Sequence, residues 1–127
     1  MRDYQRQKNN QYYLPLTLYR RVLAVVRDYD RQRNEIDEIL YSTPIHDSVS
    51  SGAPSKPTES TAIRILRYQA DVDAVENALE AIPAEYQSGV MDNIRYGYKF
   101  PPVAHYNTWL KWKQRFIYAV AKILDLV

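Results

Sequence analysis

The 127-residue chain has no cysteine, only three glycines and two histidines, and no long apolar run; each scarcity removes a class of protein. Without thiols there is neither a disulfide framework nor a thiolate metal site, and the lone His46 and His105 cannot make a zinc centre. Three isolated glycines do not build a phosphate-cradling loop. No apolar stretch approaches the roughly 18 residues needed to span a bilayer. Met1 to Tyr13 is polar rather than a signal peptide, so no membrane partner and a cytoplasmic location are expected. The length suits one domain with a modest core and is short for an enzyme with an enclosed active site.

Catalysis finds little to work with. Glu35, Asp37, Glu38, Asp71, Asp73 and Glu76 lie on helices with cations as neighbours, as a solvated surface would have them. The serines concentrate in one loop, with no histidine beside them in a rigid setting. Neither catalysis nor a cofactor is expected.

What the chain does have is an uneven charge distribution and many tyrosines. Residues 1–13 carry Arg2, Arg6 and Lys8 against Asp3, residues 14–57 are neutral, residues 58–96 have a net charge of −4, and residues 97–127 a net charge of +4. Basic ends around an acidic middle fit a protein that touches nucleic acid with its ends; they also fit plain intramolecular charge complementarity. The twelve tyrosines, several of them beside the cations, can stack on bases or fill gaps between helices with their hydroxyls wet.

The periodicity is helical throughout, which predicts an all-α fold. Residues 1–13 have no apolar period and read as a flexible basic arm. Leu14-Pro15 marks a helix start, and the pattern continues to Ser42. Its seam, Leu18, Val22, Val25, Tyr29, Gln32, Ile36 and Ile39, is a heptad seam with one polar interruption. Residues 43–57 hold three prolines, a glycine and four serines, a mobile loop long enough for the next helix to return antiparallel.

That helix carries Ile65, Tyr68, Val72, Val75, Leu79 and Ile82, with Ala70, Ala74, Ala78 and Ala81 allowing close approach. Residues 14–82 would then form an antiparallel helical hairpin. Pro83 interrupts this helix or opens the next, which runs from about Ala84 to Tyr96 with Tyr86, Val90, Met91 and Ile94 on its apolar side and Gly97 as its stop. Pro101-Pro102 makes residues 98–104 a stiff connector. The final helix, Tyr106 to Val127, is capped by Asn107 or Thr108 and sets Trp109, Phe116, Val120, Ile123 and Val127 on a buried stripe.

Residues 83–127 thus describe a helix-turn-helix-like unit whose last helix would enter a major groove by its first turns. Asn107, Thr108 and Trp112 would approach base edges, while Lys111, Lys113 and Arg115 neutralise phosphates. Lys99 in the connector and Arg2, Arg6 and Lys8 in the arm add cations. Trp112 lies off the apolar stripe and either packs on the connector or faces a partner.

The segments IPAEYQSGVMDNIRYG and NTWLKWKQRFIYAVAKIL resemble the C-terminal part of phage and prophage late transcriptional regulators of the RinA and ArpU type, themselves similar to region 4 of sigma-70 factors. Pro83, Glu85, Tyr86, Tyr96, Thr108, Trp112, Ala121, Lys122 and Leu124 stand at the matching positions. The resemblance implies transcription control by binding double-stranded DNA in a bacterial host cell, with RNA polymerase as a further implied partner; the hairpin would serve as an oligomerisation or polymerase-docking surface. The chain departs from that pattern before the last helix. Sigma-like units have a further short helix there, whereas only Tyr98 to Tyr106 separates Gly97 from Asn107, so the unit is abbreviated or has kept the scaffold and lost DNA binding. The alternative expectation is a phage structural or assembly protein, such as a small-terminase-like oligomer or a helical adaptor, with the final helix buried at an interface.

Overall fold

A computed structural model describes residues 5, 8–41 and 59–127, the side chain of Tyr41 excepted. The expected loop 43–57, with His46, and the arm cations Arg2 and Arg6 lie outside the described residues. The fold is all-α, with helices α1 (Leu16–Arg27), α2 (Tyr29–Tyr41), α3 (Glu59–Leu79), α4 (Ala84–Tyr96) and α5 (Tyr106–Ile123).

Pro15 stands just outside α1, and its carbonyl accepts the first ladder bond, from Tyr19 N at 2.9 Å. The single helix expected from Leu14 to Ser42 is two helices, broken at Asp28. Asp28 N donates to Ala24 O and Gln32 N donates to Asp28 O, both at 3.0 Å, so the interruption is one residue long. Its cause is local: aspartate favours helix starts over interiors, and the Asp28 carboxylate is held by Arg31 in the first turn of α2, at 2.7 and 2.6 Å.

The break lets the two halves face different partners. α1 packs on α4 and α5 and buries Tyr19, Val22, Leu23 and Val26; of the expected seam in this helix Val22 is fully buried, and Leu18 and Val25 are half-buried. α2 packs on α3 and keeps the expected seam, with Gln32 and Ile36 buried. Tyr29 bonds Glu76 and Gln32 bonds Asp71, so numbers rise along α2 as they fall along α3. The two helices are therefore antiparallel, which fits the expected hairpin.

α3 buries Val72, Ala74, Val75 and Ala78 and packs on α5 as well as α2. Its last turn tightens into bonds from Glu80, Ala81 and Ile82 to the carbonyls three residues back, and Gln87 Nε2 reaches back to Leu79 O at 2.9 Å. Pro83 then caps α4, which ends at Gly97 in the left-handed conformation, φ 73°. One core joins Leu14 with side chains of α1, α3, α4 and α5. The boundary at 82/83 thus separates elements rather than cores. No helix among the described residues is long and apolar enough to cross a membrane.

Candidate nucleic-acid interface

α5 buries Trp109, Lys113, Phe116, Ile117, Val120 and Ala121. Of the expected stripe, Ile123 and Val127 are 47% and 46% exposed, and Leu124 and Leu126 pack on the core instead. The cap is neither Asn107 nor Thr108. His105, with extended backbone, accepts a bond on Nδ1 from Asn107 N at 3.0 Å, which puts its ring proton on Nε2 and leaves the Asn107 side chain exposed.

The connector before α5 is held at three points. Gly97 turns it, Asn93 Nδ2 donates to Tyr98 O at 2.8 Å, and Phe100 stacks on Trp109 at 5.2 Å with the rings 6° from parallel. The same Asn93 amide accepts Lys113 Nζ at 2.8 Å, tying α4, connector and α5 together. Trp109 also fills the space where Gly89 has no side chain: a Cβ there would stand 2.6 Å from the indole.

The described part of the N-terminal arm is docked, contrary to its expected flexibility. Gln5 uses its amide as a strand would use its backbone, donating to Leu14 O at 2.8 Å and accepting from Leu14 N at 2.9 Å. Gln114 of α5 donates to Gln5 Oε1 at 2.9 Å and to Tyr12 O at 2.7 Å. Tyr12 closes the contact, edge-on to Tyr118 at 5.3 Å and facing the Arg115 guanidinium at 4.8 Å. Polar latches of this kind leave no apolar period, so the sequence pattern did not announce them.

Between the docked arm and the connector, over the first three turns of α5, runs a groove of about 1350 Å³. Lys99, Lys111, Lys113 and Arg115 line it, and among the described residues no carboxylate does. Asn9, Asn10, Gln11, Asn107 and Gln114 supply amides; Tyr12, Tyr98, Phe100, Tyr106 and Trp109 supply rings.

The candidates from the sequence are distributed unequally around this groove. Lys99, Asn107 and Lys111 are exposed and line it, and Lys8 is exposed in a turn of the arm outside it. Thr108 is half-buried and not among the lining residues. Trp112 packs on α4 rather than on the connector, stacked on Tyr86 at 5.8 Å, with Lys111 Nζ 4.6 Å and the Arg115 guanidinium 5.3 Å from its ring centre. Arg115 is half-buried, its guanidinium in contact with both Trp112 and Tyr12. Lys113 is 7% exposed, its ammonium on Asn93, because its position falls on the face that α4 covers. Of the expected face 108, 111, 112 and 115, positions 111 and 115 line the groove together with 107, 110 and 114, whereas 108 and 112 do not. Gln5, Asn93, Phe100 and Gln114 were not foreseen as site residues; their roles depend on partners far away in sequence.

Against this geometry, no family model matches the chain, and searches of the curated proteins and of the solved structures find no match either.

Proposed function

We propose that the chain is a non-enzymatic, DNA-binding regulator of transcription of phage or prophage origin. The observation that carries this reading is the convergence of exposed Lys99, Asn107 and Lys111 on one groove that no described carboxylate lines. Lys99 and Lys111 neutralise phosphates there, Asn107 is placed to approach base edges, and Lys8 extends the positive field from the arm. Arg115 lines the groove beside them, with its guanidinium against Tyr12 and Trp112. The resemblance to RinA- and ArpU-type regulators, with its implied host-cell cytoplasm and RNA polymerase contact, supports the same reading.

A salt series of gel-shift titrations with duplex DNA tests it. Lys111→Ala should weaken binding and lower the slope of log affinity against log salt by about one, whereas Lys113→Met should leave the slope unchanged. Absence of salt-dependent binding at micromolar protein sinks the reading.

A second reading, a phage assembly protein that self-associates through the hairpin, is favoured by a different feature. Leu40, Ile63 and Leu66 on α2 and α3 are 56%, 49% and 70% exposed. Under that reading Leu66→Lys lowers the mass seen by light scattering and Lys111→Ala does not.

A further inference from the structure

We infer that the groove between the arm and the connector takes unpaired nucleic-acid strand, so that this protein distinguishes locally melted DNA from fully paired duplex. The inference rests on the nucleic-acid reading of the same groove and names the strand state it accepts.

Shape comes first. The opening turns of α5 are flanked by residues 9–12 of the arm and by the connector, so an extended chain can lie along them. A volume of about 1350 Å³ also exceeds the roughly 300–1,000 Å³ of sites for single compact ligands, which suits several units of an extended chain.

Chemistry agrees. Sites for single strands combine a cationic channel with rings on which bases stack. Lys99 and Lys111 supply exposed charge, and Tyr98 and Tyr106 are 59% and 61% exposed while lining the groove. Phe100 is parallel to Trp109, and the exposed Tyr106 ring meets Phe100 at 5.8 Å with a tilt of 54°, so the aromatic cluster reaches from the core to the groove surface.

Two buried donors lie in residues of the groove wall. The Trp109 indole N–H, in a residue 1% exposed, and the Arg115 Nε–H are both buried without a hydrogen-bond partner among the described residues, and both residues line the groove. Unpaired buried donors are costly, so this wall of the groove is polar beneath its aromatic surface. Base carbonyls, ring nitrogens and phosphate oxygens are acceptors, and in an unpaired strand the base edges are free to serve.

Fluorescence anisotropy with three labelled DNAs tests this: a blunt duplex, the same duplex with an unpaired internal stretch of about eight nucleotides, and the matching single strand. The full chain should bind the interrupted duplex about tenfold more tightly than the blunt one. Replacing Tyr98 and Tyr106 together with Ala should bring that ratio to about one with helicity unchanged, and replacing both with Phe should preserve it. Equal affinity for the two duplexes, or a preference that survives the Ala pair, overturns the inference and leaves the regulator reading standing. Binding to none of the three overturns both.

Discussion

At the scale of the residue, two glycines that look alike in the sequence are under opposite constraints. Gly89 has helical backbone and is forbidden a side chain by its neighbours, Trp109 at 2.6 Å and Pro101 Cδ at 3.1 Å. Gly97 has nothing within 4 Å of a would-be Cβ but sits at φ 73°. Gly89→Ala gains about 0.5–1 kcal/mol of helix propensity. It should nevertheless lose stability by about 1–3 kcal/mol, because Trp109 is clamped by Phe100 and cannot retreat. Gly97→Ala should cost about 1 kcal/mol through the backbone alone. Urea melts of the two variants check both values, and a Gly89→Ala protein as stable as the parent contradicts the packing.

Gln5 makes the same point for a polar side chain. Its amide satisfies both backbone groups of Leu14, a residue with no exposed surface. Gln5→Ala leaves that N–H and C=O buried and unpaired, and should destabilise the protein by about 1–3 kcal/mol; Gln5→Glu should recover the bond from Leu14 N only.

At the scale of the element, the α2–α3 pair is tied by ionisable groups whose titration should be visible. Burial, and then the bond to Glu76, push the Tyr29 hydroxyl above its ordinary range. The bond to Asp30 does the same for Tyr96, at the junction of α4 with α2. A group whose folded pKa is raised contributes stability fully below its unfolded value, near 10 for tyrosine, and loses it as pH rises through the folded value. Melting temperature should therefore fall as pH rises beyond about 10, less steeply in Tyr29→Phe than in the parent.

Asp28 works in the other direction. Its bond to Arg31 holds the carboxyl below the usual carboxylate range, so its contribution is present above the unfolded value of about 3.9 and is lost as pH falls through the folded one. Asp28→Asn should flatten the acid side of the stability profile. An unchanged profile there removes Asp28–Arg31 as a determinant of the α1–α2 junction.

At the scale of the whole molecule, α5 finds its core partners on α1, α3 and α4 together. A fragment of residues 83–127 consequently leaves the Phe116, Ile117 and Val120 face without most of its cover. Such a fragment should show far less helix by circular dichroism than its share of the full chain, and the full chain should melt in one transition. A stably helical fragment would mean that the C-terminal pair holds a core of its own.

The sequence by itself determined the helices and most of their limits. Period and punctuation are local properties: Pro15, Pro83 and Gly97 act on their own neighbours, and Val72, Val75, Val90 and Phe116 carry the spacing that buries them. It also located the basic C-terminal segment. Only the tertiary structure decided which of those cations are available, since Lys111 and Lys113 differ by two positions and one is exposed while the other is bonded to Asn93 on α4. It alone docked the arm and closed the groove. Those outcomes depend on side chains separated by tens of residues in sequence, as with Gln5 and Gln114, and a period read along one strand of chain carries no information about which elements will meet.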